Sequence, residues 1–189
     1  MKQVWKAGTM IYPLPAMLVG CGSCPDEYNL ITVAWTGTIC TNPAMCYISV
    51  RPERHSYELI RKSMEFTLNL TTESMAKAVD WCGVRSGRDY KKFKETGLTP
   101  MKGNMVSAPC VVESPLSIEC RVKEIVKLGS HDMFIADVLC TDADDAFMNK
   151  ETGAFDLESA RLVAYSHGHY YKMGEEIGKF GWSVQKKQK

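Results

Sequence analysis

The sequence predicts an antiparallel β-barrel carrying helical excursions. Three observations predict it. Apolar runs with strand alternation recur at short spacing along the chain. The helical stretches interrupt groups of strands and do not alternate with them, which argues against a βαβ fold. No Gly-x-Gly-x-x-Gly follows a strand and no Walker sequence occurs, so the usual phosphate loops of parallel α/β folds are missing.

The elements can be justified in order. Residues 16–21 form a short apolar run, followed by the turn-rich SCPDEYN. Residues 30–38 alternate as a strand, with Asn29, Ile31, Val33, Trp35 and Gly37 on one side and Leu30, Thr32, Ala34, Thr36 and Thr38 on the other. Asn42-Pro43 marks a turn, and residues 45–50 are a third strand. Ser56 can cap a helix carrying Leu59 and Ile60 that ends near Ser63. Phe66, Leu68 and Leu70 then alternate with Thr67 and Asn69. Thr71 or Thr72 opens a second helix with Met75, Ala76, Val79 and Trp81 inward, stopped by Gly83. Asp89 opens a third, with Phe93 inward and Gly97 at its C-terminus. Residues 116–123 and 133–140 make a long hairpin around the turn KLGSHD, and residues 161–166 are the last strand.

The 189 residues fit one domain, 1–189, with a helical insert at about 71–97. A chain of this size buries roughly 70% of its extended surface and needs no staples. The formal net charge of +1, from 23 basic and 22 acidic residues, argues against broad binding to nucleic acid or an anionic membrane. No apolar run approaches the roughly 18 residues of a membrane span. The start, MKQVWKAG, lacks the apolar core of a signal peptide, so a cytoplasmic protein is expected. The basic tail QKKQK is expected to fray.

Cys40, Cys46, Cys82, Cys110, Cys120 and Cys140 sit among apolar neighbours and read as reduced core residues. Cys21-Gly-Ser-Cys24 has redox or metal spacing, but no second pair follows it. It reads as a turn holding two cysteines, with an extra redox role left open. His167-x-His169 on an extended segment would point both rings to one face, yet no third ligand is apparent and no metal is expected. Neither a His-Glu-x-x-His nor a Gly-x-Ser-x-Gly occurs, and spacing identifies no catalytic carboxylate pair.

Two stretches could hold an anion. Ser49, Arg51, Arg54, His55 and Ser56 lie where the third strand meets a helix start, whose free N–H groups suit a phosphate. Residues 83–93 bring two glycines, a serine and four basic residues to the start of another helix. A capped helix and a solvated turn are the bland alternatives. Beside them, the small hydroxyl face of Thr32, Ala34 and Thr36 leaves room for a flat polar ring, with Trp35 turned into the core.

The ordered series Asn29-Leu30-Ile31-Thr32-Val33-Ala34-Trp35-Thr36-Gly37, Asn42-Pro43, Ser49-Val50-Arg51-Pro52 and His55-Ser56 resembles the flavin reductase-like family of FMN-binding split barrels. Ser86-Gly87-Arg88-Asp89-Tyr90-Lys91-Lys92-Phe93 and Gly97-Leu98-Thr99-Pro100 are similar to its flavoredoxin branch, as are Ala108-Pro109, Glu113-Ser114-Pro115-Leu116, Glu119-Cys120 and Gly129-Ser130-His131-Asp132. The resemblance implies a mainly β fold with inserted helices, a six-stranded antiparallel split barrel, and a homodimer with FMN at its interface. It implies that Asn29, Thr32, Ala34, Trp35 and Thr36 line the isoalloxazine and ribityl side. Ser49, Arg51, His55 and Ser56 would serve the ribityl chain and phosphate. Ser86, Gly87 and Lys92 would come from the helical insert, and His167 and Tyr170 from the last strand. The implied activity is electron transfer through FMN, as a flavin reductase using NAD(P)H. The alternative is a flavoredoxin-type carrier fed by a ferredoxin-like protein.

Overall fold

The computed structural model describes residues 1–185, so Lys186–Lys189 of the basic tail lie outside the described residues. In chain order the strands are β1 (Leu14–Pro15), β2 (Met17–Cys21), β3 (Asn29–Val33), β4 (Thr36–Cys40), β5 (Met45–Val50), β6 (Glu65–Asn69), β7 (Pro100–Lys102), β8 (Pro109–Val111), β9 (Leu116–Lys127), β10 (Asp132–Ala143), β11 (Val163–Ser166) and β12 (His169–Lys172). The helices are α1 (His55–Ser63), α2 (Ala76–Val84) and α3 (Lys92–Thr96).

The main antiparallel sheet runs β3-β2-β6-β9-β10-β5-β4. Its two edges, β3 and β4, are consecutive in the chain and separated only by Ala34 and Trp35. One kinked strand therefore pairs with β2 through its first half and with β5 through its second. This curls the sheet closed, and counting β3 and β4 as one strand gives the expected six-stranded split barrel. At the kink the Thr36 amide donates to the Ala34 carbonyl at 3.1 Å, the i to i+2 bond of a γ-turn. The Ser49 amide donates to the Trp35 carbonyl at 2.8 Å and ties the kink to β5.

The kink corrects the expectation of one continuous strand. Alternation restarts at residue 34, so Trp35 does not enter the core. Its side chain is 37% exposed. Ahead of the kink, alternation sends Ile31 and Val33 inward with Val19, Ile48, Phe66, Cys120 and Phe134. Tyr57 and Ile60 of α1 join that core, and the Tyr57 hydroxyl donates to Asp132 Oδ2 at 2.7 Å. Leu18 and Leu30 point outward, where Val79, Cys82 and Phe93 of the helical insert cover them. Thr32 points the same way, and its hydroxyl donates to the Val79 carbonyl. Gly83 lies over it: a Cβ there would stand 3.3 Å from Thr32 Cβ.

Helix α1 begins one residue before the expected cap. Arg54 holds the N-cap position, and among the described residues no side chain caps the helix. Ser56 is instead buried inside it. Helix α3 starts at Lys92, later than the Asp89 expected, because the Asp89 and Tyr90 amides are taken by the Ser86 carbonyl at 3.2 Å. Gly97 ends it at φ 73°, as its sequence position predicts. The β9–β10 hairpin forms as expected, longer than its apolar core and broken by two bulges. Buried Asn69 joins the layers: it donates to the Leu18 carbonyl at 2.9 Å and to Thr67 Oγ1 at 3.0 Å, and accepts from the Val111 amide and Ser117 hydroxyl at 2.9 and 2.7 Å.

Candidate functional site

Two adjoining cavities open where the kinked strand meets α1 and the helical insert. The first holds about 400 Å³. Thr32, Ala34 and Trp35 form its floor, and Ser49 and Arg51 its near wall. Asp80 and Gly83 of α2 stand on one side, and Tyr165 and Tyr170 of the last hairpin on another. The second holds about 320 Å³ and is lined by Arg54, His55 and Ser56 at the start of α1, with Arg85, Ser86, Gly87, Arg88 and Lys92 opposite. Both share Ile31 and Arg54, which therefore stand on the boundary between them.

The second cavity is built for an anion. Four fixed cations line it, Arg54, Arg85, Arg88 and Lys92, against a single carboxylate, Glu53. An arginine side chain cannot accept a hydrogen bond, so with Arg54 at the N-cap no described side chain caps α1; the Tyr57 amide turns to the Arg54 carbonyl at 3.0 Å, which leaves the His55 and Ser56 amides for an outside acceptor. Lys92 is 3% exposed and donates to the Cys82 carbonyl at 2.7 Å. Burial pulls its pKa below the ordinary lysine range. His55 is likewise held below the usual histidine value, first by burial and then by Arg88, Lys92 and Lys91. The Lys92 shift reflects its burial, whereas the cationic neighbours of His55 add to burial there.

Several side chains act behind the walls. Asn29 is buried and donates to Ser56 Oγ at 2.8 Å, fixing α1 to β3. Gly87 packs directly on Asn29, and a Cβ there would stand 2.8 Å from His55 Cδ2. Ser86 Oγ accepts from the Arg88 amide at 3.2 Å and shapes the loop. Arg85 lies 5.5 Å from the Tyr90 ring centre, and Tyr90 meets Trp81 edge-on at 5.4 Å, which anchors the loop to α2.

The first cavity is more aromatic. Trp35 stacks on His131 at 4.5 Å, one side of the opening. Burial, then Arg51, lowers the His131 pKa. On the other side Tyr165 and Tyr170 lie 5.5 Å apart, and the Tyr170 hydroxyl donates to Asp80 Oδ1 at 3.3 Å.

The structure gathers most of the residues singled out in the sequence. Thr32, Ala34, Trp35, Ser49, Arg51 and Tyr170 line the first cavity, and His55, Ser56, Ser86, Gly87 and Lys92 the second. Asn29 supports the wall from behind. Thr36 lies outside both cavities, with its hydroxyl donating to the Tyr47 carbonyl at 2.6 Å. His167 is not a wall residue either: it occupies the β11–β12 turn at φ 48° and stacks on Tyr12 at 4.2 Å, while the next residue, Gly168, reaches the cavity. The turn also parts His167 from His169, which ends beside Tyr171. Asp80 and Tyr165 carried no signal in the sequence, and His131 stood in the flavoredoxin-like Gly129-Ser130-His131-Asp132 without a role in the site. Arg54, Arg85 and Arg88 stood in the anion-suited stretches, and the fold turns them onto one pocket.

Residues 9–174 match the flavin reductase like domain. The chain belongs to that family. Among solved structures of the flavin reductase-like fold, the flavoredoxin of Desulfovibrio vulgaris (Miyazaki F) is 29% identical, with a TM-score of 0.89 over 98% of this chain and 100% of its own. The flavoredoxin of Methanosarcina acetivorans shares the fold at 23% identity and a TM-score of 0.86, again over 98% and 100%. An uncharacterised protein of Pyrococcus abyssi is 30% identical over 169 residues, 89% of this chain and 95% of its own. No helix among the described residues is long and apolar enough to cross a membrane.

Proposed function

We propose that this protein binds FMN across the two cavities and works as an electron-transferring flavoprotein. The observation that carries the reading is the cation-lined pocket at an uncapped helix start, joined at Arg54 to an open slot with an aromatic rim. A flavin agrees with the family. A terminal phosphate monoester suits the second pocket, where Arg54, Arg85, Arg88, Lys92 and the α1 amides would bind it. The planar ring would lie on the backbone of residues 32–35, with Trp35 and Tyr170 bounding the open side. Asn29 and Thr36 then act as supports for the strand and α1. When bound, FMN supplies hydride and electron exchange. The protein's part is to hold the ring, exclude water from one face and leave the other free. No side-chain nucleophile or general base is needed.

Two assignments follow from that reading. The first is a flavin reductase that draws on NAD(P)H. The second is a flavoredoxin-type carrier fed by a ferredoxin-like protein, and the likeness to the Desulfovibrio flavoredoxin over its full length favours it. A homodimer with the flavin at its interface is supported by Trp35 and Val84, which line the slot and are 37% and 69% exposed. A cytoplasmic location agrees with reduced thiols, nucleic acid is not a partner on charge grounds, and a membrane is not expected.

The test is a visible spectrum of the purified protein, followed by FMN titration and assay with NADH, NADPH and free flavin. A yellow protein with saturable FMN binding is expected. Turnover of a nicotinamide would make it a reductase. Flavin reduced only by a protein donor would make it a carrier. A colourless protein that takes up no FMN would end the proposal.

A further inference from the structure

Residues 100–114 leave the barrel and return: β7 pairs with β8, and β8 and the intervening loop lie beside β6 and β9. Under this excursion Cys110 of β8, Glu119 of β9 and Asp142 of β10 each bring one ligand atom within 4.8 Å of the others. None of the three lines either cavity of the proposed flavin site.

Their surroundings are unusual for a structural polar cluster. Glu119 is fully buried, and its carboxylate accepts the Asn104, Met105 and Val106 amides at 2.6, 2.7 and 2.8 Å. A carboxylate offers about four lone-pair positions, and the one left over faces Asp142. Asp142 accepts from Asn104 Nδ2 at 2.7 Å through Oδ1, leaving Oδ2 turned to Cys110. The Cys110 thiol is completely buried, with Asp142 Oδ2 at 4.0 Å and the Ser117 hydroxyl beside it. Among the described residues no lysine or arginine forms an ion pair with Glu119 or Asp142.

We propose that Cys110, Glu119 and Asp142 are a binding site for one zinc ion, which fastens the 100–114 excursion to the barrel. Zn–S and Zn–O bonds of about 2.3 and 2.0 Å at tetrahedral angles set sulfur and oxygen roughly 3.5 Å apart. The Cys110 to Asp142 gap of 4.0 Å closes with a contraction of about half an ångström. A thiolate with two carboxylates selects zinc over magnesium or calcium, which prefer oxygen alone. Binding forms the Zn–S bond and releases the thiol proton to solvent, and water takes the fourth position.

The test strips the purified full chain with chelator and titrates zinc chloride by calorimetry. One equivalent, a raised Tm and at least tenfold weaker binding in both Cys110→Ser and Asp142→Asn are expected. Cys24→Ser should bind as wild type, since the Cys21–Cys24 pair is elsewhere. Failure to bind zinc saturably, or wild-type affinity in either Cys110→Ser or Asp142→Asn, overturns the proposal. X-ray absorption of the zinc-loaded wild-type protein gives a readout that does not depend on the variants folding: one sulfur with oxygen neighbours is expected, and a shell without sulfur refutes it.

Discussion

Arg54 is the side chain with most at stake in the flavin proposal, because it borders both cavities. Losing a charge-assisted hydrogen bond costs about 1.5–3 kcal/mol, or roughly tenfold to a hundredfold in Kd. Arg54→Ala should weaken FMN by that much in a fluorescence titration. Arg51→Ala should cost less, since Arg51 lies half in solvent, 3.5 Å from Glu53. Equal losses would move the phosphate towards Arg51. Gly87→Ala should also weaken binding, because the new methyl meets Asn29 and His55 and must displace one of them. His55 supplies a pH signature. Its pKa is depressed by burial and then by Arg88, Lys92 and Lys91, so folding disfavours its charged form. The unfolded chain protonates it near about 6.5. Its contribution to stability is therefore full above that pH and declines as the pH falls through the lower folded value. A bound phosphate, carrying close to two negative charges above its second pKa of about 6, should raise the His55 pKa. An NMR titration of that imidazole with and without FMN measures this, and an unchanged value would place the phosphate elsewhere.

At the level of elements, Asn69 connects β2, β6, β8 and β9 with four hydrogen bonds. Asn69→Ala would leave the Val111 amide and the Leu18 carbonyl buried without partners. Each such group costs about 1–3 kcal/mol, so the denaturant midpoint should fall clearly with an unchanged slope. How legible these elements were depended on what decides them locally. Gly97 ended α3 as written, because a left-handed C-terminal residue is a property of glycine itself. The β9–β10 hairpin was legible from alternation on either side of a polar turn. The kink at Ala34–Trp35 was not, since period-two alternation is blind to a γ-turn held by a bond from distant Ser49. That blindness sent Trp35 to the wrong side. Likewise Ser56 looked like a cap from its position beside an apolar run, yet its hydroxyl is taken by Asn29, 27 residues earlier.

Over the whole molecule, the β-rich character and inserted helices followed from apolar periodicity. The pairing order that closes the sheet did not, because it rests on contacts between β2 and β6 or β10 and β5, far apart in the chain. Of the site, the basic stretches around residues 51–56 and 83–93 were visible as charge. Asp80, His131 and Tyr165 gain meaning only when α2, the hairpin turn and β11 converge. If the proposed dimer forms across Trp35 and Val84, sedimentation should give twice the monomer mass at low micromolar concentration, and Val84→Glu should shift it to one. A monomer for the wild type would leave the slot facing solvent. The γ-turn has a further consequence. The same few backbone atoms both shut the cylinder and floor the slot, so occupancy and breathing of that seam are thermodynamically linked. Any molecule seated there should slow deuterium uptake at the Ser49 amide, and loosening the junction should hasten the molecule's escape.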